Sequence, residues 1–214
     1  MTRLKTKPLA KRPAVLYSVH PGVKMVQNWI ATLQEKTGRT LDEWLALIQA
    51  TGPESLTDRR AWLQKEFQLG ANTASWLAQN VAGTDTWDGD PATYLRAAAE
   101  YVDNMYAGAK AELRPWHDRL VKLTRALGKD VQVCPCKTIV PFYRRHVFAE
   151  LKPATRTRLD LGLALGDTPF SARLLDTDGR AKKQRITHRL AITSLADIDD
   201  EVRHWLRMAY DLDG

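Results

Sequence analysis

The sequence predicts an α+β protein, a small four-helix domain followed by a small antiparallel β-sheet packed on one face by about three helices. From Val23 to Val81 the apolar residues recur at helical spacing, whereas after Gly128 the period drops to two, as in Leu159, Leu161, Leu163 and Leu165. Between the two regimes lies GTDTWDGD, residues 83–90, with turn chemistry and no periodicity. The expected organisation is a flexible basic arm over 1–22, a helical domain over 23–82, a linker over 83–90 and an α+β domain over 91–214.

In the first helix Val26, Trp29, Ile30 and Leu33 form one stripe, and Gly38 ends it. Thr40 with Glu43 makes a capping box for the second, in which the hydroxyl accepts from one orphan amide and the carboxylate accepts from another. That helix carries Leu41, Trp44, Leu45 and Ile48 and stops at Gly52-Pro53. A third helix, from Leu56, presents Trp62, Leu63 and Phe67 and ends at Gly70; a fourth, Ala71 to Val81, carries Trp76 and Leu77. Trp29, Trp44, Trp62 and Trp76 read as core anchors, because each buries a large apolar area in a short helix. The third and fourth helices have the spacing of a helix-turn-helix. The helix after Gly70 has no Lys or Arg to meet phosphates or base edges, so duplex reading is not expected of it.

Asp90-Pro91 is an N-cap followed by an N1 proline, opening a helix with Tyr94, Leu95, Ala98, Tyr101, Val102 and Met105. Pro115 starts the next, with Trp116, Leu120, Leu123 and Leu127 on one face. Strands are expected at Val131 to Val133, Lys137 to Tyr143, Val147 to Leu151, Arg158 to Leu165 and Ile186 to Thr193, with Arg144-Arg145-His146 as a hairpin turn. Residues 166–183 read as a long loop. Ser194 is the expected cap of a final helix bearing Ile198, Val202, Trp205, Leu206 and Tyr210.

Of 214 residues, 44% are apolar and 27% charged, the balance of an ordinary globular chain. No apolar run approaches the roughly 18 residues of a membrane span, and the charged start has no apolar segment behind it, so neither a membrane protein nor a secretory leader is expected. The two cysteines, Cys134 and Cys136, are too close for a disulfide framework, which points to a reducing, cytoplasmic setting. The net charge of +7 is unevenly placed: +5 over residues 1–23, −3 over 24–90 and +5 over 91–214. An anionic partner therefore belongs to the arm and the C-terminal half.

Two stretches, VQNWIATLQEKTGRTLDEWLALIQATGP and AWLQKEFQLG, resemble the domain-of-unknown-function family 4287. The later stretches YAGAKAELRPWHDRLVKLTRALG, TIVPFYRRHVFAELKP and HRLAITSLADIDDEVRHWLRMAY resemble the domain-of-unknown-function family 5655. The resemblance implies a boundary near 83–90 and supplies no activity. Ala71 to Trp76 departs from the first pattern, where a turn richer in glycine and histidine is expected.

No phosphate loop, dinucleotide fingerprint, paired-carboxylate motif or nucleophile elbow is present, and no cofactor is expected. A structural zinc site needs four ligands; Cys134 and Cys136 supply two, so they read as small buried fillers and no metal is expected. His188 reads as a buried, hydrogen-bonded histidine. Asp197, Asp199, Asp200 and Glu201 read as acids favoured by a helix N-terminus. What remains is the outer face of the sheet, where Phe148, Lys152, Arg158 and Arg189 lie together with Arg144, Arg145, Arg156, Lys182, Lys183 and Arg185 nearby. Basic groups beside an exposed aromatic suit a single-stranded nucleic acid. The expected function is a non-catalytic binding module whose basic half meets an anionic partner, nucleic acid first, with the helical domain open to a protein partner. The alternative is an enzyme or small-ligand protein with its pocket between helices and sheet, where His146 or His188 meets a carboxylate.

Overall fold

The computed structural model describes residues 16–81 and 90–214, so most of the expected arm and linker lie outside the described residues. Four helices come first: α1 (Pro21–Thr37), α2 (Leu41–Thr51), α3 (Leu56–Phe67) and α4 (Ala71–Val81). Local chemistry sets their ends. The Glu43 amide donates to the Thr40 hydroxyl at 3.3 Å and the Thr40 amide donates to the Glu43 carboxylate at 2.7 Å, the reciprocal cap read from the sequence. Gly38 closes α1 at φ 75°, a backbone that a side chain would strain. Behind α3 the left-handed position is taken by Gln68, φ 52°, rather than by Gly70. The apolar stripes converge on Trp44, Ile48, Leu63, Trp76 and Leu77, with Trp29 and Trp62 packed against them, so all four tryptophans anchor one core.

The second half begins with α5 (Pro91–Met105), opened by Asp90, whose carboxylate accepts from the Ala92 and Thr93 amides. A 3-10 turn over Gly108–Leu113 leads into α6 (Arg114–Arg125). Six strands follow: β1 (Gln132–Val133), β2 (Val140–Tyr143), β3 (Val147–Pro153), β4 (Leu159–Leu163), β5 (Leu175–Asp176) and β6 (His188–Ile192). They form one antiparallel sheet in the order β1-β2-β3-β4-β6-β5. Strand β5 lies inside the stretch expected to be loop; two residues are too short to show a period. Ser194 caps only the 3-10 turn Leu195–Asp197, and Asp199 opens α7 (Asp200–Leu212) by accepting from the Val202 amide at 3.1 Å.

The register places Phe142 opposite Ala149, Leu151 opposite Leu161 and Leu161 opposite Leu190, so these side chains share the inner face. Helix α7 packs on β3 and β4, α6 lies beside β1, and the end of α5 adds Val102 and Met105. Leu120, Phe142, Leu161 and Leu206 fill the space between layers, each worth about 1.5–3 kcal/mol of burial. The β2–β3 register shifts between Phe142 and Tyr143, which pair with Ala149 and Val147, so Phe148 is the extra residue of a bulge. Its ring is 0% exposed and meets Tyr210 edge-on at 5.7 Å. This corrects the expectation that Phe148 shares the outer face with Lys152, Arg158 and Arg189.

The described end of the expected arm is held in place. The Ser18 amide donates to the Val133 carbonyl at 2.8 Å, the Cys134 thiol donates to the Val19 carbonyl at 3.8 Å, and Val23 of α1 packs with Tyr94 and Ala98 of α5.

Candidate anion-binding groove

Five of the nine basic residues expected to bind are committed to the fold. Arg144 donates to Asp130 at 2.8 Å and to the Tyr210 carbonyl at 3.1 Å while stacking 4.2 Å over the Tyr210 ring. Asp213 is buried and accepts from the amides of Arg145 and His146, from His146 Nδ1 at 3.0 Å and from Arg185. Burial pushes its pKa up, but these donors outweigh burial and hold it below the ordinary value. Arg145 also donates to the Gly214 carbonyl, and Arg185 to that of Val147. The expected hairpin turn is thus a clasp on the C-terminal end of α7. On the outer sheet face Asp160 pairs with Arg158 at 2.9 Å and lies 3.7 Å from Arg189. With Glu150 also there, that face carries mixed charge rather than a cationic field.

The remaining pairs lie in two places. Lys182 and Lys183 sit on the exposed connection between β5 and β6. Among the described residues Phe170, 41% exposed, is an aromatic open to solvent where Phe148 is not. Arg180 lies 4.6 Å over the Phe170 ring, whose other neighbour is His188 at 4.7 Å. Lys152 and Arg156 line a groove of about 600 Å³ at the end of the sheet. Its other cationic walls are Lys110, from the 3-10 turn, and Lys137, from the β1–β2 connection; Thr138 and Asn104 add polar groups.

Local chain chemistry builds these walls. Gly108, at φ 58°, turns the chain out of α5 so that Lys110 reaches across to donate to the Pro153 carbonyl at 2.7 Å. That bond leaves the ammonium two further donors. Strand alternation sends Lys152 outward opposite Asp160, but Asp160 is already paired with Arg158 and Arg189. Among the described residues no carboxylate lines the groove, and none lies within 4 Å of Lys152 or Arg156. A comparable groove, of about 610 Å³, runs along α6, but there Arg114 is paired with Asp103 and Asp118, and Asp118 lines the wall. Lys110 and Lys137 were not among the expected site residues; Lys110 stands on the 3-10 turn, and Lys137, expected to begin a strand, stands on the connection before β2, which starts only at Val140.

The other candidates have plainer roles. His188 is buried, with Nε2 2.9 Å from the Thr168 carbonyl and Nδ1 2.8 Å from the Thr187 hydroxyl. A carbonyl only accepts, so Nε2 carries the proton and Nδ1 accepts. His146 does meet a carboxylate, Asp213, but its side chain is 65% exposed on the open surface. Burial pushes the Cys134 thiol up to about 12 and the Cys136 thiol up to about 11, so neither is a thiolate near neutrality. Among the described residues no group of three or more His, Cys, Asp or Glu is placed to hold a metal ion. The acids around the start of α7 serve as caps and as partners of Arg173, which donates to Asp199 and Glu201 at 2.6 and 2.8 Å.

Two family models match the chain. The family model Domain of unknown function (DUF4287) matches residues 25–83, from within α1 through α4, and Domain of unknown function (DUF5655) matches residues 102–213, from the end of α5 through α7. No curated protein and no solved structure matches the chain. Since the second match spans more than half of the 214 residues, the chain belongs to the DUF5655 family.

Proposed function

We propose that the protein is a non-catalytic binding module whose α+β domain takes an anionic partner, nucleic acid first, into the groove at the end of its sheet. One observation carries this reading: Lys110, Lys137, Lys152 and Arg156 surround one groove, and among the described residues no carboxylate lines it. Lysines converging from separate elements suit a phosphate backbone, which is met by point charges rather than by one fixed geometry. The space between helices and sheet, where an enzyme's pocket was the alternative expectation, is filled by Leu120, Phe142, Leu161 and Leu206. Two free cysteines suit a reducing compartment, and the proposed setting is the cytoplasm. Among the described residues no helix is long and apolar enough to cross a membrane.

A salt titration with fluorescently labelled single- and double-stranded oligonucleotides tests the proposal. Phosphate contacts release counterions, so the affinity is expected to fall with salt at a log-log slope of about −0.7 per phosphate on single strands and −0.9 on duplex. Absence of binding at low salt for both removes the reading.

A further inference from the structure

Beside the groove stands a carboxylate that the fold does not use. Strand alternation puts Glu150 on the outer face with Lys152, about 7 Å further along β3. Opposite it on β4 is Gly162, where a Cβ would stand 2.9 Å from Glu150 Cγ and 2.8 Å from Ile186 Cγ2. Glycine at that position lets the Glu150 side chain lie down across β4, half-buried, instead of extending into solvent. Among the described residues no donor within hydrogen-bond distance serves this carboxyl, and Lys152 remains beyond 4 Å. Burial raises its pKa and Lys152 pulls it back. Burial pushes up the pKa of Cys136, the neighbour in sequence of groove-lining Lys137, and of Tyr143 on β2, and the same carboxylate adds to both. Half-buried along its stem but open to solvent at its oxygens, the carboxylate presents both acceptors to whatever lies on the outer face beside the groove.

We propose that Glu150 reads the N–H edge of a nucleobase, guanine above the others, whose phosphate lies among the groove's lysines; the proposal rests on the nucleic-acid reading above. A carboxylate offers two coplanar acceptor oxygens. Guanine presents two adjacent donors, N1–H and the N2 amino group, that match them side by side. Thymine and uracil set one N–H between two carbonyl oxygens, which a carboxylate repels, and adenine and cytosine each present one amino donor beside a ring acceptor.

The test compares labelled twelve-base oligothymidine with the same strand bearing one central guanine. Wild type is expected to bind the guanine strand about tenfold more tightly, a typical size for one specific base contact. Glu150→Gln, which turns one acceptor into a donor at equal size, is expected to bring the two affinities within about twofold of each other. Should that variant not fold, competition by 5′-GMP against 5′-UMP on the wild-type protein reads the same preference. Equal wild-type affinities, or a preference that survives E150Q, overturn the role of Glu150 while leaving the groove intact. Binding of neither strand overturns both proposals.

Discussion

His20 Nε2 lies 3.0 Å from the Tyr143 hydroxyl while His20 Nδ1 accepts from the Gly22 amide at 2.9 Å. One ring therefore caps α1 and reaches β2. Because Nδ1 accepts, the neutral ring carries its proton on Nε2 and donates it to Tyr143. Burial presses the His20 pKa down to about 4. His20→Ala is expected to cost about 1–2 kcal/mol in urea unfolding at pH 7.5, from the lost cap and the lost bond. The folded-state pKa lies below the unfolded value, so stability from the neutral ring is complete above about 6.5 and is lost as pH falls toward 4. The variant should show a shallower loss over that window; His117, also pressed down to about 4 by burial, accounts for part of the slope that remains. Identical slopes would contradict the arrangement.

Asp213→Ala removes the acceptor shared by two amides, the His146 ring and Arg185. The expected loss is about 2–4 kcal/mol, measured by chemical unfolding at neutral pH. In the wild type this contribution is present above the ordinary carboxylate range and disappears as pH falls through the lowered pKa of Asp213. A loss below about 0.5 kcal/mol would mean that the clasp adds nothing to stability.

The cysteines should be slow to react. With Cys136 pushed up to about 11 and Cys134 to about 12, the thiolate fraction at pH 8 falls about a hundredfold or more below that of an ordinary thiol. A disulfide reagent such as DTNB should label the folded protein slowly, Cys134 more slowly than Cys136, and both promptly in urea. Immediate labelling of two thiols in the folded state would refute this.

Charge reversal in the groove tests its electrostatics apart from its stability. Lys152→Glu with Arg156→Glu is expected to weaken single-strand binding at least tenfold at low salt and to flatten the log-log salt slope by about 1.4, two phosphates at 0.7 each. Both side chains are exposed, so unfolding should move by no more than about 0.5 kcal/mol. An unchanged slope would place the phosphates elsewhere.

Features that depend on a few neighbouring residues were legible before any coordinates. The Thr40–Glu43 box, the Asp90-Pro91 start and the alternation of the Leu159 strand are each decided by local rules, and each is where the residues put it. What escaped depends on partners distant in sequence. One inserted residue in β3 turns Phe148 inward, and no count by twos reveals an insertion. Arg144 and Arg185 read as free cations because Asp130 and Asp213 are far along the chain. Lys110 and Lys137 come within one groove only after α5, the β1–β2 connection and the β3–β4 turn have been assembled.

The contact of Ser18 with Val133 makes the α+β unit discontinuous in the gene. A polypeptide starting at Pro91 would include the whole DUF5655 match yet leave the Val133 carbonyl without its donor and uncover the patch around Cys134 and Tyr94 that Val19, His20 and Val23 shield. Whoever expresses the second family's region alone should graft residues 16–23 back in, as a separate peptide or a fused leader, before judging whether it folds.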